Sequence, residues 1–218
     1  MRQPQAPVNI EGYPFIFLFS LATIIAAIFH CPLVTGVLFT LTIFSLAFFR
    51  DPDRFTPETS TGIISPADGK IIVLENVATN PFTQEAALKV SIFMNVFNVH
   101  VNRIPFSGTV TNIHYRPGLF YSADSEKGAQ HNEYCAIVSE TQDGQKMAFV
   151  QIAGLIARRI VCWLECGDQV TSGKRFGLIR FGSRVDLYLP PSAEPCISLG
   201  QKVKAGETII GHLRPPAA

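Results

Sequence analysis

The chain has 218 residues, of which 47% are apolar and only 16% charged, and its 18 basic and 17 acidic residues leave a net charge of +1. This length suits one medium-sized domain, with or without an appendage, and is enough to bury a core. A balanced charge gives no bulk attraction to nucleic acid, so a nucleic-acid partner is not expected. Soluble domains average about 25% charged residues, so the apolar excess must be concentrated in part of the chain.

The apolar excess lies near the N-terminus. Residues 14–29 and 32–49 carry no charge and are separated only by His30 and Cys31. One helix over 14–49 would measure about 54 Å, against a hydrocarbon core of about 30 Å. We therefore predict a hairpin of two short transmembrane helices, with a re-entrant or interfacial hairpin as the second choice. A cleaved signal peptide is not expected, because no small-residue cleavage site follows the first apolar run.

Basic residues flank the predicted hairpin on one side. Arg2 lies in the N-terminal tail, residues 1–13, while Arg50 and Arg54 follow the second apolar run. Positively charged flanks favour the cytoplasmic side of a membrane, so we expect the rest of the chain in the cytoplasm.

The chain after the hairpin has a β pattern. Residues 50–62 are rich in Pro, Asp and Thr and are predicted to be a linker, and residues 63–218 contain short apolar runs bounded by Gly, Pro, Asn or Asp. A G-x-x-V-x-x-G pattern occurs twice, in 167–177 and in 200–210, as in the hairpins of biotinyl- and lipoyl-type domains. We predict a mainly β fold, with a barrel-sandwich-like antiparallel β domain behind the helical hairpin.

The cysteines give little sign of a metal site or a disulfide framework. There are five, an odd number, and none forms a C-x-x-C pair. Cys162 and Cys166 would share one face of a strand, but they have no nearby pair of histidines to complete a zinc site. We predict buried or idle thiols in a reducing compartment, and no metal.

Two residues stand out as candidate acids or bases. Asp68 in "SPADGK" is the strongest candidate among the acidic residues, although Asp-Gly is also a common turn signal. His100 in "FNVHVNRIP" interrupts an apolar strand, where a hydrogen-bonded core histidine is the alternative. His114 and His131 lie in polar, loop-like sequence and are weaker candidates.

A dispersed set of arginines has two equally weighted interpretations. They could contact a lipid phosphate or an anionic membrane surface, or they could occupy solvated strand faces. The set consists of Arg158, Arg159, Arg175, Arg180 and Arg184.

The stretch "RFGLIRFGSRVDLYLP" (175–190) joins two β-like runs at Gly182-Ser183. By itself this dipeptide predicts a β-hairpin, because Gly followed by Ser suits a two-residue type II′ turn. A chemical role needs support from the rest of the chain.

That support comes from a resemblance carried by five stretches in order along about residues 45–192. They are "FFRDPDR" (48–54), "SPADGKI" (65–71), "FMNVFNVHVNRIP" (93–105), "VQIAGLIARRIV" (150–161) and "RFGLIRFGSRVDLYLP" (175–190). Together, behind an apolar hairpin, they closely resemble the short, membrane-associated bacterial phosphatidylserine decarboxylases.

The resemblance implies that Gly182–Ser183 is a self-cleavage site. Ser183 would attack the Gly182 carbonyl, and elimination and hydrolysis would leave a β fragment, 1–182, and an α fragment, 183–218, headed by a pyruvoyl group made from Ser183. The pyruvoyl cofactor would form a Schiff base with phosphatidylserine and accept the electrons released with CO₂, giving phosphatidylethanolamine. The implied location is the bacterial inner membrane, with the catalytic domain on the cytoplasmic side.

Individual roles follow from the same resemblance. Asp68 is expected in the self-processing apparatus, and His100 matches the first of two histidines that longer relatives carry. Arg103 occupies the position of the second, so the processing base stays open between Asp68, His100 and another group such as His131. Asn132 and Glu133 match a family "NER" stretch, and with Arg103 they are expected to line the substrate site.

Two alternatives stay open. The first, from another class, is a non-catalytic membrane-tethered barrel-sandwich adaptor or carrier. The second is a pyruvoyl decarboxylase of a soluble amino acid, against which the apolar N-terminal segment argues. The oligomeric state is also open, a homo-oligomer included.

Overall fold

The computed structural model describes residues 7–119, 121–123, 125–154, 159–180 and 182–214. The chain divides into two compact units, residues 1–53 and 54–218, which are taken in turn. Strand exceeds helix, 38% against 20%, so the predicted mainly β fold class is confirmed.

The N-terminal unit contains two antiparallel helices, α1 (Tyr13–Ile28) and α2 (Pro32–Phe48), after a short 3₁₀ turn at Ile10–Gly12. Pro32 opens α2 at a position where its missing N–H costs no hydrogen bond. Among the described residues, one helix is long and apolar enough to cross a membrane, with 19 residues over Ile10–Ile28 and a mean hydropathy of 1.7. The second apolar helix is shorter.

Both helices keep their polar groups within themselves and present apolar side chains outward. The Thr23 hydroxyl donates to the Phe19 carbonyl at 2.7 Å, and the hydroxyls of α2 bond in the same way one turn back. Such bonding removes the cost of placing a hydroxyl in an apolar medium. The large exposed apolar residues of the pair are Phe17, Leu18, Leu21, Ile24, Ile25, Ile28, Leu33, Val34, Val37, Phe39, Leu41, Ile43 and Leu46.

The second unit is built from short strands and one short helix, α3 (Glu126–His131). The strands are β1 (Gly62–Ile64), β2 (Gly69–Val77), β3 (Ala87–Met94), β4 (Val101–Arg103), β5 (Gly108–Arg116), β6 (Tyr134–Glu140), β7 (Lys146–Ile152), β8 (Ile160–Cys162), β9 (Gln169–Val170), β10 (Arg175–Ile179), β11 (Ser183–Leu189), β12 (Glu194–Pro195), β13 (Lys202–Val203) and β14 (Ile209–His212).

One large sheet organises this unit. It has eight strands in the order β13-β2-β3-β11-β7-β6-β5-β9, and every pairing in it is antiparallel. The sheet curls into a half-barrel, and two three-stranded sheets, β4-β10-β8 and β1-β14-β12, accompany it. The main core holds residues from all three sheets, such as Ile92, Phe149, Phe176 and Ile210.

The two G-x-x-V-x-x-G copies form equivalent structures. Val170 and Val203 are both buried, on strands β9 and β13 at opposite edges of the large sheet. The flanking glycines, Gly167 and Gly173 in one copy and Gly200 and Gly206 in the other, all have positive φ. The repeat therefore closes both edges of the half-barrel with the same turn chemistry.

The hairpin predicted at Gly182-Ser183 is wrong. Strand β10 pairs with β4 and β8, whereas β11 pairs with β3 and β7. The dipeptide therefore lies where the chain passes from the small sheet to the large one. Each strand finds better partners elsewhere, which sequence spacing alone does not reveal.

The predicted face shared by Cys162 and Cys166 is also wrong. Strand β8 ends at Cys162, and Cys166 is exposed in the segment that follows. Cys135, on β6, is instead the thiol that interacts with Cys162.

Candidate active site

Five strand ends meet at one end of the large sheet. The register runs from Lys70 to Phe93, Arg184, Ile152 and Tyr134 in one row across β2, β3, β11, β7 and β6. Because neighbouring strands are antiparallel, this row is the start of β2, β11 and β6 and the end of β3 and β7. We call it the site end, and the opposite end of the same strands the far end. Four of the five stretches that carry the family resemblance adjoin the site end.

Ser183 is the first residue of β11 and is fully buried, at 0% exposure. It pairs with Met94 on β3, and its hydroxyl donates to the Met94 sulfur at 3.5 Å. The Asn102 amide donates to the same sulfur at 3.7 Å and accepts from Gln151 at 2.9 Å. A thioether is a weak acceptor and no base, so this contact orients the hydroxyl without activating it.

Gly182 has a left-handed backbone, with φ +65°. Among the described residues other than its chain neighbours, none has an atom within 4 Å of the position that a Cβ would take at Gly182. Its carbonyl is confined by Gly154, where any Cβ would lie closer than 3.0 Å to the Gly182 oxygen. The Gly182 carbonyl, which precedes Ser183, is thus packed against the backbone of Gly154.

Asp68 lies in the turn before β2 and is buried in an ionic cluster. One carboxylate oxygen accepts from Arg54 at 3.0 Å, and the other accepts from the Ala205 backbone N–H at 2.7 Å. Arg54 also reaches Glu207 at 3.3 Å. The cluster joins the turn before β2 to the turn after β13.

Arg103 belongs to the same region. Its guanidinium donates to the Gly173 carbonyl at 2.9 Å, and its backbone N–H donates to the Pro66 carbonyl at 2.9 Å. Its side chain passes over Gly206, where a Cβ would meet the Arg103 Cδ at 2.6 Å. Arg103 therefore links β4 to the turns around Asp68.

His100 is buried just before β4, with 1% exposure. Its Nδ1 lies 3.0 Å from the Asn98 carbonyl oxygen, which can only accept, so Nδ1 carries a proton in this contact. Its own carbonyl accepts from Ile179 at 3.3 Å, three residues before Gly182.

Asn132 and Glu133 precede β6 at the site end, and both are buried. The Asn132 amide bonds to the backbone of Tyr121 and Ala153. Tyr115 is mostly exposed, and the partial desolvation of its ring, followed by a hydrogen bond to Glu133, raises its pKa. His131, the third candidate base, is exposed at the end of α3, with its Nδ1 3.2 Å from the Lys127 carbonyl.

Both interpretations of the dispersed arginines, contact with lipid and a solvated strand face, are wrong for Arg184. It lies on the face of β11 opposite Ser183, is buried, and forms a bidentate ion pair with Asp186 together with a 2.7 Å bond to Ser91. The Arg184 guanidinium therefore connects strands β11 and β3 on that face of the sheet. It is exposed neither to solvent nor to lipid. Arg159 is exposed, and Arg158 lies outside the described residues.

Within the described part of the chain, no group of three His, Cys, Asp or Glu side chains is placed to hold a metal ion. Cys135 and Cys162 interact across the core, and the hydrogen bond from Cys135 lowers the pKa of Cys162 to about 7. The same bond raises the pKa of Cys135.

Sequence reasoning missed four residues of this region: Met94, Asn102, Gly154 and Arg54 as the partner of Asp68. Each lies within a stretch that was singled out, but its role depends on a strand or turn distant in the chain. The usable signal for Gly154 was its position directly after an apolar strand.

Comparison with known proteins gives this geometry a context. A family model described as phosphatidylserine decarboxylase matches residues 41–211. A phosphatidylserine decarboxylase proenzyme from Desulfotalea psychrophila is 57% identical over 213 residues, which cover 98% of this chain and 100% of that protein. Proteins with the same description from Nitratidesulfovibrio vulgaris and Pelobacter propionicus are 50% and 47% identical, over 100% and 98% of this chain and 100% of each relative. The chain therefore belongs to the phosphatidylserine decarboxylase family of enzymes.

Proposed function

We propose that the chain is a precursor that cleaves itself between Gly182 and Ser183 and then converts phosphatidylserine to phosphatidylethanolamine with a pyruvoyl group made from Ser183. One observation carries the proposal: a fully buried serine follows a left-handed glycine whose carbonyl is packed against Gly154. The proenzyme descriptions of the relatives agree with processing.

The proposed cleavage uses atoms of the chain and one water molecule. The Ser183 hydroxyl oxygen attacks the Gly182 carbonyl carbon, the C–N bond breaks, and an ester with a free amine at residue 183 results. Loss of the α-proton of residue 183 expels the Gly182 carboxylate and leaves a dehydroalanine. Its imine tautomer is hydrolysed, releasing ammonia and leaving a ketone at the head of the fragment 183–218.

His100 is our choice for the base that takes the Ser183 proton. With Nδ1 donating to the Asn98 carbonyl, Nε2 is the ring nitrogen that would take the proton, and the His100 carbonyl accepts a hydrogen bond from Ile179, on the strand that leads to Gly182. Both oxygens of Asp68 already accept hydrogen bonds, one of them from a buried guanidinium. We therefore assign Asp68 to holding the turns at the site end, and His131, which is exposed, to neither role.

The surroundings of residue 183 suit the cofactor. The pyruvoyl group supplies an electron sink for the pair released with CO₂. The sulfur of Met94 and the amides of Asn102 and Gln151, all buried, form an uncharged hydrogen-bonded network beside residue 183. A substrate-lining role for Arg103 and Glu133 stays a prediction.

Anchoring at a bilayer is the second part of the proposal. The outward apolar faces of α1 and α2 and their internally bonded hydroxyls support a membrane hairpin. The basic residues Arg2 and Arg50, on either side of the hairpin in the sequence, favour a catalytic domain on the cytoplasmic side of the inner membrane. An enzyme held beside its lipid works at a raised effective concentration of substrate.

Denaturing mass analysis of the purified full chain tests the proposal. We expect fragments 1–182 and 183–218, with the smaller one blocked to N-terminal sequencing, and an intact, inactive chain for Ser183→Ala. A wild-type preparation that decarboxylates phosphatidylserine while remaining full length would rule out the pyruvoyl mechanism.

A further inference from the structure

The Asn132 side chain is a junction between two segments of backbone. It is fully buried, and its Oδ1 accepts from the Tyr121 N–H at 2.7 Å. Its Nδ2 donates one hydrogen to the Tyr121 carbonyl at 2.8 Å and the other to the Ala153 carbonyl at 2.7 Å. Both N–H bonds of the amide are thus used by the protein. Asn132 therefore holds the backbone at Tyr121 and Ala153 together, and its amide has no donor left for a substrate.

Backbone hydrogen bonds tighten the same junction. The Ala153 N–H donates to the Glu133 carbonyl at 2.9 Å, and the Glu133 N–H donates to the Leu119 carbonyl at 3.3 Å. The Leu119 N–H in turn donates to the His131 carbonyl at 2.7 Å. The segments before β6 and after β7 therefore hold one another in place at the site end.

Gly154, the next residue after Ala153, touches the peptide that is to be cleaved. A Cβ at Gly154 would lie 2.9 Å from the Gly182 carbonyl carbon and closer still to its oxygen, where real Cβ atoms stay beyond 3.0 Å. Among the described residues, apart from its chain neighbours, none has an atom within 4 Å of the position that a Cβ would take at Gly182. The Gly154 backbone therefore lies directly against the Gly182 carbonyl.

We infer that Asn132 is a positioning residue for self-cleavage. Through the Ala153 carbonyl it fixes Gly154 against the Gly182 carbonyl, so that the carbonyl carbon is presented to the Ser183 oxygen. A glycine peptide with a free torsion would otherwise sample orientations in which the attack is misaligned. The inference rests on the proposed function, and it differs from a substrate-binding role for Asn132.

The test follows the precursor, because self-cleavage needs no substrate. Full-length chain is synthesised in a cell-free system containing lipid nanodiscs, and the loss of intact precursor is timed for the wild type, Asn132→Asp and Gly154→Ala. Asn132→Asp removes the donors to Tyr121 and Ala153 while keeping the side-chain size. We expect both variants to cleave at least about tenfold more slowly, since a misplacement of about 1 Å can cost about 10²-fold.

Gly108→Ala is the matched control. A Cβ there would also lie closer than 3.0 Å to a backbone carbonyl, that of Glu140, but at the far end of the sheet. We expect it to lower the melting temperature as Gly154→Ala does, and to leave the cleavage rate at the wild-type value. If either Asn132→Asp or Gly154→Ala fails to fold, the cleavage rate of the other variant still tests the contact that it alters.

Three outcomes would overturn the inference. A wild-type cleavage rate in Asn132→Asp, whatever the rate of Gly154→Ala, would show that the Asn132 hydrogen bonds are not needed for cleavage, and a raised KM in the mature Asn132→Asp enzyme would then mark a substrate ligand. Equal slowing by Gly108→Ala would reduce the effect to fold stability. A wild-type chain that never cleaves at 182/183 would remove the proposed function as well, so the two failures are distinguishable.

Discussion

The two ends of the large sheet use the same strands for different purposes. At the far end, β6 and β7 are consecutive and close in a short turn, where the Thr141 N–H donates to the Gln145 carbonyl at 2.9 Å and Gly144 has φ +77°. At the site end, β11 lies between β3 and β7, neither of which is its neighbour in sequence. Local turns therefore close one end, and contacts between distant segments build the other.

Burial differs in the same way. The turn at 142–144 is exposed, whereas Ser183, Asn102 and Asn132 at the site end are fully buried. Buried polar groups are tolerated only when they are hydrogen-bonded, so each needs partners in fixed places. The site end therefore tolerates fewer arrangements of its side chains, and small changes there should affect chemistry as well as stability.

The largest effect is expected for His100→Gln. Loss of a general base typically slows a reaction by about 10²–10⁴-fold, and we expect precursor cleavage to slow within that range. The half-life of the full-length chain, followed by mass analysis, measures it. His114→Gln on β5, where the side chain is exposed, is the control and should cleave normally. If Asp68→Asn slowed cleavage more than His100→Gln does, Asp68 would instead be the base.

Asp186→Ala should cause the largest loss of stability. It leaves the buried Arg184 guanidinium without its carboxylate, which typically costs about 3–5 kcal/mol. Thermal melting of the full chain, with Ser183→Ala in the background to prevent cleavage, measures the change. Glu194→Ala breaks the exposed ion pair with Arg214 and should cost no more than about 1 kcal/mol. Equal losses in the two variants would contradict the distinct role of the buried pair.

Gly182→Ala and Gly144→Ala compare the two ends directly. Both glycines have a left-handed backbone, with φ +65° and +77°, and neither has a close neighbour at the Cβ position. A side chain in that conformation costs about 1–2 kcal/mol, so both variants should lose similar stability. Only Gly182→Ala should slow cleavage, because only its peptide is attacked. The comparison fails if Gly144→Ala slows cleavage to the same extent.

The smallest effect concerns the thiol of Cys162. The hydrogen bond from Cys135 lowers the pKa of Cys162 to about 7, so its thiolate should be half formed near neutral pH. Alkylation of Cys162 by iodoacetamide, followed by peptide mass analysis, should therefore reach half its maximal rate near pH 7. In Cys135→Ala the midpoint should move upward, toward the usual thiol value of about 8.5. An unchanged midpoint would remove Cys135 as the cause.

Some features were predictable because they are local. An uncharged apolar run predicts helices, short runs bounded by turn residues predict strands, and the repeated G-x-x-V-x-x-G pattern predicts the turns at 167–173 and 200–206. The family resemblance was confirmed by the comparisons, and membership in a family of enzymes replaces the adaptor or carrier alternative. Other predictions failed because they assumed local pairing, as with the hairpin at Gly182-Ser183 and the face shared by Cys162 and Cys166.

The amino-acid sequence by itself determined the mainly β class, the apolar helices, the family and the bond to examine. Only the tertiary structure decided which backbone touches that bond. Gly154 reaches Gly182, and Arg54 reaches Asp68, through the order and register of strands that are distant in sequence. Strand register depends on the burial of whole faces at once, so no short stretch encodes it alone.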